Sequence, residues 1–187
     1  MRLYAAIVPP ESARAELADL VRSVAPGTRE LTPIEVPDLR IPVTNFGNVA
    51  LHDAETLLQT LRTQSARWPQ PELRFHGHAA LEWEGDKCVW SKLDGDVDEL
   101  ITVGREVPKV VQPLGFLVDR RKFRPWIAVG SITDATTLPY LERLTAALDE
   151  FKGAPWTLES LTVFRKVPVD ENGVDEVVHE EIPLKQR

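Results

Sequence analysis

A pattern that occurs twice constrains the fold of this chain more than any other feature. The segment LRIPV at residues 39–43 is followed by a turn and an amphipathic helix, and so is PWIAV at residues 125–129. Each segment places a large side chain and a small one two positions apart, and therefore on the same face of an extended strand. The repeat predicts two similar lobes whose motif strands, at about residues 39–46 and 125–132, face a shared cleft.

Strands and helices alternate along the rest of the chain. Apolar residues spaced i, i+3 and i+4 predict four helices, which begin near residues 11, 53, 96 and 138, and we expect the third to end by Pro108. Turn sequences at residues 84–86 and 170–173 predict two hairpins. Because hairpins interrupt the alternation, the sequence predicts an α+β fold of mixed or antiparallel sheets. The length of 187 residues suits a single bilobal domain.

Composition limits the classes of function. The net charge of −7 argues against extensive coating of DNA or RNA, although a local basic patch can hold a phosphate. The single cysteine, Cys88, excludes an intramolecular disulfide framework and fits a reducing cytoplasm, where we expect the protein to act. Its apolar surroundings predict a buried, inert thiol. No apolar run approaches 18 residues, so no membrane span is expected.

Several segments resemble one known family. They include VPDLRIPVTNFGNV and FRPWIAVGSI around the repeated pattern, and MRLYAAIVPPE, LRFHGHAALEW, CVWSKL and WTLESLTVFRKV elsewhere. Together they are similar to the two-histidine (2H) phosphoesterase superfamily, in its bacterial 2′-5′ RNA ligase-like or RNA 2′,3′-cyclic phosphodiesterase branch. The resemblance runs nearly end to end. It implies two pseudo-symmetric lobes with helices on the outside and a central cleft.

The residues that carry the family's chemistry are substituted. The family has a His-x-Thr motif in each of two strands, in contexts such as LHLTLRFLG and FRPHLTLAR, and the flanking residues here match those contexts. The resemblance places Arg40 and Pro42 at the His and Thr positions of the first motif. It places Trp126 and Ala128 at those of the second.

These substitutions remove the family's acid–base groups. Two imidazoles serve as general base and general acid because their pKa lies near neutrality. Arginine does not release its proton at usable pH, indole does not titrate, and neither proline nor alanine has a side-chain hydrogen bond to offer. We therefore predict a degenerate active site with no catalytic residues at these positions and no cofactor.

Binding can outlast catalysis. Arg40 offers a fork of donors to a phosphate, and Trp126 offers a stacking face to a base or sugar. Arg121 and Arg124, with Arg120 and Lys122, raise the local potential for an anion. The sequence thus predicts a cleft that binds a nucleotide or an RNA end. Three plainer alternatives remain: a Trp126 that fills the cleft, an Arg40 paired with an intramolecular carboxylate, and a basic run that is only a solvated loop.

Two further functions stay open. His76 and His78 lie on one face of a predicted strand, but no third ligand with suitable spacing is evident, so no metal site is predicted. They are the candidates for relocated catalytic groups if the protein is an active phosphodiesterase on 2′,3′-cyclic or 2′-5′ linked nucleotides. The other alternative is a partner-binding module whose cleft is closed by Trp126. His52 and His179 are expected at the surface.

Overall fold

The computed structural model describes residues 1–79, 85–116, 118, 121–170 and 173–185, and this part of the chain contains four α-helices and nine strands. The helices are α1 (Glu11–Val24), α2 (Leu51–Ser65), α3 (Val97–Val111) and α4 (Leu138–Glu150). The strands are β1 (Arg2–Ile7), β2 (Leu31–Pro33), β3 (Ile41–Asn48), β4 (Glu72–Ala79), β5 (Cys88–Gly95), β6 (Trp126–Ile132), β7 (Trp156–Thr157), β8 (Ser160–Asp170) and β9 (Gly173–Pro183).

The strands form two sheets. The first sheet has the order β3-β1-β8-β9, and the second has the order β2-β6-β5-β4-β7. Every strand pairing in the described ranges is antiparallel. The predicted α+β class is therefore confirmed, in its antiparallel form. Both predicted hairpins appear as paired strands, β4 with β5 and β8 with β9, although Glu84, Glu171 and Asn172 of their turns lie outside the described residues.

Each sheet has its own pair of helices. In the first lobe α2 and α3 pack against each other, α2 also contacts β9, and α3 also contacts β3. In the second lobe α1 and α4 pack together, and they contact β6 and β4 respectively. Their buried faces carry the apolar residues that the helical spacing predicted, such as Leu17, Leu57 and Leu144. The bilobal arrangement implied by the resemblance is confirmed.

In strand β6 the side chains alternate between the hydrophobic core and the opposite face of the sheet. Ile127 and Val129 are fully or almost fully buried in the core, whereas Trp126 and Ala128 are half-buried on the opposite face. The equivalent strand β3 is less regular, because its pairing with β1 shifts register twice. These irregularities bend the edge strand and re-aim its side chains.

Three local predictions are corrected. The helix α3 does not end by Pro108 but continues to Val111, because Val107 and Val111 are fully buried and outweigh the loss of one helical hydrogen bond. The sequence favours an extended segment over Leu31–Val36, but β2 ends at Pro33 and Val36 begins a 3₁₀ turn at Val36–Asp38, with Pro37 in its first turn. Cys88 is half-buried rather than buried, because it stands at the start of β5.

No helix in the described ranges is both long and apolar enough to span a membrane.

Candidate functional site

The two lobes meet at an open cavity of about 690 Å³. Both motif strands contribute to its lining, β3 through Pro42 and β6 through Trp126, and β1 and β8 supply Tyr4 and Lys166. Arg40 and Ala128, the other two substituted motif positions, are not among the residues that line this space. The cavity is therefore built by both sheets and holds one residue of each motif.

Aromatic rings dominate one wall of the cavity. The ring centroids of Trp126 and Trp90 are 6.5 Å apart, with their planes inclined at 56°. The Arg124 guanidinium lies 5.3 Å from the Trp126 ring centroid, within the range of a cation–π contact. Trp90 is oriented by its indole N–H, which donates to Asp86 Oδ2 over 2.9 Å. This wall combines flat apolar faces with an adjacent positive charge.

The cavity is positively charged although the chain is acidic. Arg121, Lys122 and Arg124 line it from the segment before β6, and Lys166 lines it from β8. Glu176 is the only carboxylate among the described lining residues. Of the predicted basic run, Arg120 lies outside the described residues. The local excess of cations raises the potential for an anion in a protein whose overall charge is −7.

Arg40 is enclosed by the protein. Its side chain is only 11% exposed, and its two terminal nitrogens lie 3.0 Å from Asp38 Oδ1 and 3.3 Å from Glu176 Oε2. One of them also donates to the Tyr4 hydroxyl over 2.7 Å, and the guanidinium carbon lies 4.2 Å from the Phe164 ring centroid. The structure thus gives Arg40 the intramolecular carboxylates that the sequence left as an alternative. Its donors are engaged within the protein, and the role of Arg40 as a phosphate ligand stays a prediction.

Tyr4 and Glu176 complete this cluster. The Tyr4 hydroxyl donates to Glu176 Oε2 over 2.6 Å, and Lys166 Nζ lies 3.3 Å from Glu176 Oε1. Desolvation raises the pKa of Glu176, but its hydrogen bonds from Tyr4 and Lys166 and the charge of Arg40 outweigh it and hold the pKa below its ordinary value. Burial and the bond to Glu176 raise the pKa of Tyr4 well above its ordinary value. At neutral pH the carboxylate is charged and the phenol is neutral.

This geometry can be compared with solved structures. No family model and no curated protein sequence matches the chain. Crystal structures do match along nearly the whole length. TT0787 of Thermus thermophilus superposes with a TM-score of 0.74 at 18% sequence identity, covering 99% of this chain and 98% of that chain. A structure described as a phosphoesterase has a TM-score of 0.71 at 17% identity with the same coverage. E. coli LigT complexed with 3′-AMP has a TM-score of 0.71 at 16% identity, again with the same coverage.

This chain has the fold of the two-histidine phosphoesterases. The sequence resemblance places Arg40 at the first histidine position of this fold and Trp126 at the second. The structure gives these positions different roles. Trp126 lines the cavity. Arg40 does not line it, because its guanidinium is hydrogen-bonded to Tyr4 and paired with Glu176.

The two histidines of β4 lie outside the cavity. His76 Nδ1 is 2.7 Å from the carbonyl oxygen of Phe151, to which it donates. His78 contacts one carboxylate oxygen of Asp149 twice, through Nδ1 at 2.8 Å and through its backbone N–H at 3.0 Å. Desolvation raises the pKa of Asp149, but these bonds from His78 outweigh it and lower that pKa. The rings therefore bind the end of α4, and neither lines the cleft of this two-histidine phosphoesterase fold.

Within the described ranges, no group of three or more histidine, cysteine, aspartate or glutamate side chains is arranged to hold a metal ion. His52 is exposed, as predicted, and His179 is half-buried on β9.

Sequence reasoning missed several cavity residues, namely Tyr4, Trp90, Phe123, Lys166 and Glu176. A signal was present in β8, where Thr162, Phe164 and Lys166 share one face of the strand and Leu161 and Val163 share the other, although all of these except Lys166 are buried. Such alternation places one set of side chains on the cleft face of the sheet. The contact between Arg40 and Glu176 has no comparable signal, because it depends on how β1, β8 and β9 pair.

Proposed function

We propose that this protein binds a nucleotide or an RNA end in its cleft and neither hydrolyses nor ligates the phosphodiester. One observation carries the proposal. Trp126 takes the position that the resemblance gives to the second histidine, and it faces an open cavity beside Trp90 and Arg124.

The cavity offers both parts of nucleotide recognition. A base or sugar can stack on Trp126 or Trp90, and stacking on an aromatic side chain contributes about 1–3 kcal/mol per base. A phosphate can be held by Lys122 or its cationic neighbours, which attract anions at a local level even though the whole chain is negative. E. coli LigT, which has this fold, has been crystallised with 3′-AMP and with ATP, which supports a nucleotide as the ligand.

The described lining of the same cavity holds no histidine pair for acid–base catalysis. Among its described lining residues there is no histidine, and the only carboxylate has a lowered pKa. The Tyr4 phenol has a raised pKa and is already donating to that carboxylate. Each general acid or base removed from an active site costs roughly 10²–10⁴ in rate. Without two such groups, the cleft retains only positioning and electrostatic attraction.

The two alternatives fit the geometry less well. A relocated catalytic pair would need His76 or His78 in the cleft, and their rings contact Phe151 and Asp149 instead. A closed, partner-binding module would need Trp126 to fill the space between the lobes, and about 690 Å³ remains open beside it.

Calorimetric titration with 3′-AMP and with 2′,3′-cyclic AMP tests the proposal. We expect saturable binding of at least one of them, weakened about tenfold or more by Trp126→Ala because the stacking face is lost. Trp126→Phe is the matched control, since it keeps a smaller aromatic face and should weaken binding less than Trp126→Ala does.

Chromatography of the cyclic nucleotide after prolonged incubation supplies the second half of the test. We expect no product above the level of a protein-free blank. Product that accumulates in proportion to protein concentration and disappears in His78→Ala would establish the active phosphodiesterase instead. No heat with either nucleotide would exclude nucleotide binding at this cleft.

A further inference from the structure

A second cavity adjoins the first and extends the cleft along the first sheet. It measures about 300 Å³ and lies over the beginning of β1, the end of β3 and the middle of β8. Tyr4, Asn45 and Lys166 line both cavities. A ligand that fills the first cavity can therefore continue into the second without leaving the protein surface.

A row of polar side chains crosses the sheet beneath this second cavity. In the strand register Arg2 of β1 stands opposite Asn48 of β3 on one side and Lys166 of β8 on the other. Lys166 in turn stands opposite Glu176 of β9. Directly opposite residues on neighbouring antiparallel strands project from the same face, about 5 Å apart. The row Asn48–Arg2–Lys166–Glu176 thus forms one edge of the cleft.

The charges in this row are unbalanced. Two cations directly opposite each other on neighbouring strands destabilise a sheet. Lys166 forms an ion pair with Glu176 over 3.3 Å. The same carboxylate also pairs with Arg40 and accepts a hydrogen bond from Tyr4, so it only partly neutralises Lys166. Arg2 is exposed and has no ion pair or side-chain hydrogen bond with the described residues. A bound anion between Arg2 and Lys166 would remove this repulsion.

Neutral donors flank the two cations. Asn45 accepts a hydrogen bond from the backbone N–H of Gly47 through Oδ1, at 2.8 Å, which fixes its amide and leaves its NH₂ group available. Asn48 is exposed at the end of the row. Cations with amide donors beside them are the groups that contact phosphate oxygens in nucleic-acid-binding proteins.

We infer that the ligand is a single-stranded oligonucleotide rather than a mononucleotide. Its terminal nucleotide occupies the first cavity, and the next phosphate along the strand lies over Arg2 and Lys166. This inference rests on the proposed function. The two cavities together present five cations and one carboxylate, along with aromatic faces at Trp90 and Trp126. The aromatic faces favour a nucleic acid over an acidic peptide, because bases stack and carboxylate side chains do not.

The test compares two ligands that share one terminus. Adenosine 3′-phosphate and a tetra-adenylate ending in the same 3′-phosphate are titrated into the protein, with affinity measured at several salt concentrations. We expect the tetranucleotide to bind at least tenfold more tightly. Arg2→Gln should weaken the tetranucleotide about five- to tenfold and lower its salt slope by about 0.7, the contribution of one phosphate on a single strand. It should leave the affinity for adenosine 3′-phosphate unchanged.

Two variants serve as controls. Arg143→Gln removes the same charge from an exposed position on α4 and should leave both affinities unchanged. Arg2→Lys keeps the charge and should bind the tetranucleotide within about twofold of the wild type. A Lys variant as weak as Arg2→Gln would overturn the role of charge at this position.

The remaining outcomes separate the two levels of the proposal. Equal affinities for the two ligands would overturn the second phosphate position and leave nucleotide binding in place. Absence of binding by both ligands would overturn the proposed function itself. A hexaglutamate peptide that binds as tightly as the tetranucleotide would overturn the assignment to nucleic acid.

Discussion

At the scale of single residues, the first motif position is occupied by a cation that the protein itself neutralises. Arg40 is almost enclosed and is paired with Asp38 and Glu176. A buried charge is tolerated only when it is paired, and removal of one partner leaves the other uncompensated. The charge of Glu176 therefore has two effects. It stabilises the cluster around Arg40, and it lowers the positive potential of the cavity.

Glu176→Gln separates these two consequences. We expect the variant to be less stable than the wild type at pH 7 by about 1–3 kcal/mol, because hydrogen bonds to a charged acceptor are replaced by bonds to a neutral amide. The folded-state pKa of Glu176 lies below its unfolded value of 4.5, so its contribution is complete above that pH and is lost as pH falls through the folded pKa. Urea unfolding at pH 7 and at pH 3 measures the difference, which should shrink at pH 3.

The same variant should bind an anionic nucleotide more tightly, because a carboxylate has been removed from the cavity lining. Glu181→Gln is the control, since Glu181 is exposed on the same strand. It should change neither stability nor affinity by a measurable amount. A Glu176→Gln protein as stable as the wild type at both pH values would show that the cluster does not depend on this charge.

At the scale of elements, Phe123 packs the basic segment before β6 against the first lobe. Phe123 is buried against α3 at Gly104, where a Cβ atom would overlap its ring. Lys122 and Arg124, on either side of Phe123, line the cavity. The absence of a side chain at Gly104 thus sets how closely this cationic segment approaches the cleft.

Gly104→Ala should lower the stability of the protein when Phe123 is present and raise it when Phe123 is replaced by alanine. In the wild-type background the added methyl group displaces the ring, so we expect lower stability and weaker binding of 3′-AMP. In a Phe123→Ala background the space is empty, and alanine should stabilise α3 by about 1 kcal/mol through its higher helix propensity. Thermal unfolding of the four proteins in this cycle provides the measurement. Stabilisation by Gly104→Ala in both backgrounds would contradict the contact.

The elements also show what the sequence can and cannot predict. The strand β6 was predicted to within one residue of its observed bounds, because its apolar run is a local signal. The end of α3 was not, because Val111 is buried by tertiary packing that offsets a proline inside the helix. The pairing of Arg40 with Glu176 depends on strand neighbours that no local pattern specifies. At the site, the identity of the substituted positions was readable, but which of them opens onto the cavity was not.

At the scale of the whole molecule, the two sheets share one hydrophobic core. The same cluster of buried residues includes Leu3 and Leu57 of the first lobe and Leu73 and Ile127 of the second. The lobes are thus joined by packing around the cleft as well as by the chain. We propose on this basis that residues 1–187 behave as a single domain.

A single cooperative unfolding transition is the expected result. Far-ultraviolet circular dichroism and tryptophan fluorescence should give the same midpoint, as they do for a two-state protein. Leu57→Ala and Ile127→Ala, one in each lobe, should each lower that midpoint by the equivalent of about 2–5 kcal/mol without splitting the transition. Two transitions, each sensitive to only one of these variants, would show that the lobes are separate domains.

The central position of β1 in the first sheet affects when the cleft can form. This early strand lies between β3 and β8, so one of its edges stays unpaired until a strand from late in the chain arrives. Tyr4 receives its stacking partner Phe164 from β8 and its carboxylate partner Glu176 from β9. During synthesis the candidate site is therefore among the last features to assemble. A ligand that binds there stabilises only chains that have folded completely.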